Sequence, residues 1–170
     1  MRKKSGFSIV ELLVILAILS VIVVLTLRVG ESVTANSRIT GLVNNFLADY
    51  SAAKLLASAE NRYVAITFSG DGRSYTLQKQ TDVSNPALWT HVKTVTPLSD
   101  RPFFDVGGVS DFAINSTGEV RAVPLAANAN PINVALTFYI RRGRGAATDP
   151  VAYLRTIRIF PYGGLKVEKH

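Results

Sequence analysis

The chain has 170 residues, with 19 lysines and arginines against 12 acidic residues, a formal charge of +7 and no cysteine. The missing cysteine excludes a disulfide framework. The length leaves room for one domain of about 110 residues behind a long N-terminal helix.

The first 27 residues, MRKKSGFSIVELLVILAILSVIVVLTL, join a basic start to an apolar run that holds one carboxylate, Glu11. As a helix, Phe7–Leu27 spans roughly 31 Å, which matches a hydrocarbon core of about 30 Å. Arg2, Lys3 and Lys4 keep the preceding end cytoplasmic by the positive-inside tendency. A cleaved secretory signal fits poorly, because the run exceeds the usual apolar length and no small-residue A-x-A site closes it. An ordinary signal anchor explains everything except Glu11 and the abrupt Ser5-Gly6-Phe7 junction. A charge near the bilayer centre costs about 2.5–3.5 kcal/mol on insertion scales. Glu11 therefore suggests a partner for its carboxylate in an assembled state.

At this junction KKSGFSIVELLVILAIL resembles the signal of type IV pilins, type II secretion pseudopilins and their relatives. The shared pattern is a basic leader, Gly, Phe, a few tolerant positions, Glu and an unbroken apolar helix. The resemblance implies cleavage between Gly6 and Phe7 by a membrane prepilin peptidase, followed by N-methylation of Phe7. It implies that Glu11 neutralises the terminal amine of a neighbouring subunit inside a fibre, a buried pair suited to setting register. Its partners would be other pilin or pseudopilin subunits, the peptidase, a cytoplasmic assembly ATPase and an inner-membrane platform. Loss of the leader would leave 16 basic and 12 acidic side chains, a mild +4 that is not diagnostic of any partner. The implied divisions are a leader over 1–6, a transmembrane and assembly helix over 7–27, an amphipathic continuation over 28–60 and a β domain over 61–170.

Beyond Leu27 the spacing predicts that the helix runs on to about Ser58. Ile39, Leu42, Val43, Phe46, Leu47 and Tyr50 recur at helical period, and Ala53, Leu56 and Ala57 extend the stripe. Asn44, Asn45, Asp49 and Lys54 fall on the opposite face. Gly30 and Gly41 weaken the helix by about 1 kcal/mol each relative to alanine. Gly30 is either a site of bending just past the membrane boundary or a tolerated exposed glycine.

After Asn61 the period becomes two. Residues 62–69 and 74–80 read as a hairpin around Gly70-Asp71-Gly72, a loop follows at Asn85-Pro86, and 89–95 reads as a third strand. Residues 109–114 and 119–123 form a second hairpin around Asn115-Ser116-Thr117-Gly118. A loop covers 124–133, residues 134–140 and 152–160 are the strongest strands, and Pro161-Tyr162-Gly163-Gly164 turns into a short last strand at 165–167. The fold class is α+β: one long helix packed on antiparallel sheet.

FAINSTGEVRAV is similar to the strand-turn-strand segment of the H-type pseudopilin and T-type fimbrial minor pilin family (GspH/FimT). That resemblance implies two sheets behind the helix and a glycine-containing C-terminal hairpin, here IRIFPYGGLKV. The major pilins' C-terminal cysteine pair is absent, and no aspartates cluster at calcium-ligand spacing.

The chain has no GxSxG, Walker loop or HExxH. His91 reads as structural or solvent-facing. The expectation is a protein without catalytic residues, cofactor or metal, itself a substrate of the processing peptidase. The remaining feature is the basic loop Arg141-Arg142-Gly143-Arg144-Gly145, with Arg155, Arg158, Lys166 and Lys169. Clustered cations of this kind contact phosphates without sequence preference. Some T-type minor pilins bind DNA through a Gly-Arg-x-Arg element, which neither Gly143-Arg144-Gly145 nor Gly164-Leu165-Lys166 reproduces. Two functions follow: a structural minor subunit of a secretion or pilus fibre, and a fibre-displayed DNA receptor with Arg141, Arg142, Arg144 and Lys166 as its contacts.

Overall fold

Ser8 opens the helix. Its carbonyl accepts the N–H groups of Glu11 and Leu12 at 3.1 and 3.2 Å, and its hydroxyl accepts that of Val10 at 3.3 Å. These bonds satisfy donors that a helix start leaves without intrahelical partners. The helix, α1, runs Ile9–Glu60. It stops at Asn61, which takes a left-handed backbone with φ 51°. The Arg62 N–H then reaches back to the Ala57 carbonyl at 3.1 Å, a closure that terminates helices at a left-handed residue. The computed structural model describes residues 8–82, 85–96, 102–106, 111–125, 130–141 and 151–169.

Two compact units divide the chain, residues 1–37 and 38–170. In the first, the apolar side chains from Ile9 to Val23 stand exposed around the helix, from 41% at Ile15 to 78% at Ile9. Among the described residues no helix is long and apolar enough to cross a membrane. The expected span over 7–27 extends at both ends past the described side chains, which run from Ser8 to Val23.

In the second unit nine strands are described: β1 Val64–Phe68, β2 Tyr75–Asp82, β3 Asn85–Val95, β4 Pro102–Val106, β5 Asp111–Ile114, β6 Val120–Ala122, β7 Val134–Arg141, β8 Val151–Ile159 and β9 Leu165–Lys169. They form a five-stranded sheet in the order β3-β2-β1-β5-β6 and a four-stranded sheet in the order β4-β7-β8-β9. All pairings are antiparallel. The α+β class and the two sheets agree with expectation.

The predicted helical stripe is the core face. Ile39, Leu42, Val43, Phe46, Tyr50, Ala53 and Ala57 are buried. Phe46 meets the first sheet at Tyr75, edge-on with centroids 5.4 Å apart, and at Phe68, 6.3 Å away. It meets the second sheet at Phe138, also at 5.4 Å. Alternation places Val64, Ile66, Leu77, Phe112 and Ile114 on the core side of the first sheet, and Leu136, Ile157 and Ile159 are buried in the second.

Two residues assigned to the opposite, polar face of the helix are held by the β domain instead. Asp49 accepts the Tyr75 hydroxyl at 2.7 Å and pairs with Lys93 at 2.7 Å. Lys54 donates to the Gly163 carbonyl at 3.2 Å. At about 100° per residue both positions lie on the flanks of the buried stripe, not opposite it: the Lys54 stem leans onto the neighbouring turn, and Asp49 is met by the longer side chains of Tyr75 and Lys93. Asn44 and Asn45 are exposed as expected.

Two further differences concern strands. Asn85-Pro86, read as a loop, begins β3. Because β3 is an edge strand, proline is tolerated there, and the register shifts between Gln80 and Asp82 take up the irregularity. β4 (PFFDV) was not anticipated. It is short and edge-placed, pairing only with β7.

The glycine turns of the two sheets meet. Gly118 and Gly163 have φ of 87° and 74°, values that disfavour any side chain. A Cβ on Gly163 would lie 2.6 Å from the Gly118 carbonyl oxygen and 3.0 Å from Lys54 Nζ. Beside this contact, the Val120 N–H donates to Pro161 O and the Val120 carbonyl accepts the Ile132 N–H, both at 2.8 Å. The outer edge of β6 is thus covered by chain from the second sheet.

Gly163→Ala is expected to lower unfolding free energy by about 2–4 kcal/mol, combining backbone strain with the clash. A thermal melt indistinguishable from wild type would refute this contact. A second expectation concerns alkaline pH. Burial, reinforced by the bond to Asp49 and its charge, pushes the Tyr75 hydroxyl well above the usual phenol range. Burial alone pushes Tyr50 up to about 12. For each, the folded state holds its proton longer than the unfolded chain. The stability is therefore complete below about pH 10 and declines above it, by up to about 1.4 kcal/mol per pH unit per tyrosine. Denaturation between about pH 9 and pH 11 should show a shallower decline in Tyr75→Phe, and equal slopes would remove Tyr75 as a contributor.

Candidate functional site

Glu11 occupies the first turn of α1, three residues after the capping Ser8. Ser-Ile-Val-Glu has the spacing of a capping box, and a carboxylate is favoured there by the helix N-terminus. The side chain is exposed, and no described residue bonds its carboxylate. The large apolar side chains that follow, from Leu12 to Val23, are all at least 41% exposed. A continuous apolar surface on all sides of a helix far exceeds the patches that monomeric soluble proteins display. It requires a cover of lipid or of other helices. Gly6 and Phe7 lie outside the described residues.

Arg141 and Lys166 lie apart along the second sheet. Arg141 ends β7, opposite Val151. Arg142 and Arg144 lie outside the described residues. Lys166, on β9, pairs with Glu168 at 3.0 Å, and Glu168 also pairs with Arg158 at 3.2 Å. Lys166, one of the four cations proposed for phosphate contact, is thus partly neutralised by a carboxylate that it shares with Arg158, which the sequence pattern did not show. A depression of about 300 Å³ lies beside them, lined by Asn133, Val134, Ala135, Arg158, Ile159 and Phe160.

The other polar clusters are structural. Ser69 and the Arg73 N–H both bond the Asp71 carboxylate and hold its pKa below the usual range, which closes the β1–β2 turn. His91 is exposed and bonds Thr94 at 2.8 Å. Among the described residues no group of three acidic or histidine side chains is placed to hold a metal.

Residues 1–27 match the prokaryotic N-terminal methylation motif. The chain thus begins as type IV pilin-like proteins do. No curated protein matches the chain. Among solved structures it is similar to the type IV minor pilin FimU of Pseudomonas aeruginosa, at 17% identity over 81% of this chain and 90% of that one, with a TM-score of 0.49.

Proposed function

We propose that the chain is a minor pilin or pseudopilin: a membrane-held precursor cut between Gly6 and Phe7, methylated on Phe7 and drawn into a fibre. In this reading the fibre serves type II secretion or type IV pilus biogenesis, and the β domain is displayed outside the cytoplasm. The observation that carries it is the pairing of the methylation motif over residues 1–27 with a helix whose apolar side chains are exposed on every side. Such a surface is covered by lipid before assembly and by the helices of other subunits after it. Glu11 is the single carboxylate in that stretch, and the amine of a neighbouring Phe7 is the partner proposed for it.

Glu11→Ala is expected to leave processing intact and to reduce incorporation into fibres at least tenfold, read by immunoblot of sheared fibres against membranes. Normal incorporation in that variant would sink the assembly role of Glu11.

A DNA-capturing minor pilin is the second reading, supported by the five-residue run of Arg141-Arg142-Gly143-Arg144-Gly145. Phosphate contacts from three arginines give a steep salt dependence. In a mobility-shift titration of the full chain in detergent, removal of Arg141, Arg142 and Arg144 together should weaken duplex binding and flatten that dependence. Unchanged affinity and slope would reject this loop as the site.

A further inference from the structure

The two sheets end on β3, β6, β4 and β9. Three of these edges are shielded. β3 begins with Asn85-Pro86 and carries register shifts, β4 begins with Pro102, and β6 is covered by the chain segments that bond Val120. Proline, irregular register and a covering segment each block the addition of a further strand. β9 has no proline and pairs with β8 without a register shift. Leu165, Lys166, Val167 and Lys169 are all exposed.

The turn before β9 sets which of its backbone groups are open. The Phe160 N–H donates to the Gly164 carbonyl and the Gly163 N–H to the Phe160 carbonyl, both at 2.9 Å. Phe160 and Gly164 are therefore a hydrogen-bonded pair, and such pairs alternate with non-bonded ones along an antiparallel ladder. Arg158–Lys166 and Thr156–Glu168 are the next bonded pairs. The N–H and C=O groups of Leu165, Val167 and Lys169 thus point away from β8, to the open side. Side chains alternate between the faces of the sheet. Leu165 and Val167 stand opposite the buried Ile159 and Ile157, on the α1 side, yet are 37% and 42% exposed. Lys166 shares the outer side with Arg158.

We propose that β9 is a docking edge for an extended acidic segment of another protein, which joins the four-stranded sheet as a further strand. The charge around the edge selects the acidic partner. Lys166 and Lys169 lie on β9, Arg155 and Arg158 lie on β8 beside it, and Lys54 reaches the Gly163 carbonyl in the turn between them. Against these cations the described residues of β8, β9 and that turn offer one carboxylate, Glu168, shared by Lys166 and Arg158 at 3.0 and 3.2 Å. Glu119, beside the adjoining Gly118 turn, is already matched by Arg121. Carboxylates opposite Lys166 and Lys169 restore the balance, and opposite charges across a strand pair favour it. Apolar residues opposite Leu165 and Val167 cover those side chains. The same edge disfavours a nucleic acid, because it presents carbonyl acceptors as often as N–H donors and a phosphate chain has no donor to meet them. A second copy of β9 would bring a further excess of cations. The inference concerns the β domain alone and does not depend on fibre assembly.

The full chain in detergent is titrated with the peptide acetyl-Thr-Glu-Thr-Val-Glu-Val-Thr-amide, and with the same peptide carrying Lys in place of each Glu. Amide exchange is followed by NMR, residue by residue. Saturable binding of the acidic peptide is expected, at a midpoint of about 1 mM or tighter. It should slow exchange at the Leu165 and Val167 N–H groups about fivefold or more, and the lysine peptide should bind about fivefold more weakly. Val167→Pro removes one outward N–H and leaves the bonds to β8 in place. It should abolish binding while keeping the wild-type circular dichroism. Lys166→Glu, which leaves the backbone as it is, should weaken the acidic peptide about threefold. No protection at several millimolar peptide, or equal binding of the two peptides, would overturn the proposal. Duplex DNA that protects the same amides would place nucleic acid on the edge and overturn it as well. So would a dimer of the wild-type chain that Val167→Pro abolishes, which would place a second copy there.

Discussion

The globular unit depends on one ring. Phe46 is fully buried and touches Tyr75 and Phe68 of one sheet and Phe138 of the other. Two open antiparallel sheets of five and four strands share no ladder. They need a common apolar surface, and the Arg38–Glu60 part of α1 supplies it. Truncation of such a ring typically costs about 3–5 kcal/mol, because a cavity is left where several elements converge. The apolar contacts are non-directional, however, and do not by themselves fix how each sheet sits on the helix.

Direction comes from two polar contacts on the flanks of that helix. Asp49 ties it to β2 and β3 through Tyr75 and Lys93, and Lys54 ties it to the β8–β9 turn through Gly163. The second contact works because Gly163 lies against Gly118 with no side chain between them. The helix flank and both glycine turns therefore converge on one point. The same convergence covers the free edge of β6, an exposure that sheet proteins otherwise block with charge or distortion.

Local patterns were legible in the sequence, and pairings across distance were not. The helical stripe from Ile39 to Ala57 was readable because burial follows the 3.6-residue period closely. The hairpins around Gly72 and Gly118 were readable because turn residues separate alternating runs. Asp49 and Lys54 do not belong to the opposite face: at about 100° per residue they lie on the flanks of the buried stripe, and a division into apolar and polar faces hides that intermediate position. Asn85-Pro86 was misread because proline marks a loop except on an edge, and edge position is a property of the assembled sheet. β4 gave too few alternating residues to register. In the same way, the Gly6-Phe7-Glu11 spacing is local and visible.

Glu11 brings two demands together at one position. At the third residue of a helix a carboxylate is stabilised by the partial positive charge of the N-terminus, commonly by about 0.3–1 kcal/mol. This meets a small part of the cost of placing it among apolar side chains, which is several-fold larger even on insertion scales. The Ser8 cap takes the Val10 N–H through its hydroxyl and the Glu11 and Leu12 N–H groups through its carbonyl. Glu11 is consequently not essential for starting the helix, and its charge remains to be met. A cation in a dry environment meets it with far more energy than one in water. A free amine brought by another subunit would supply that cation only when the helices are in register, since a shift of one helical turn separates the charges by about 5.4 Å. The same carboxylate that is an inconvenience to a lone apolar helix thus becomes, in the proposed fibre, the element that distinguishes one alignment of subunits from its neighbours.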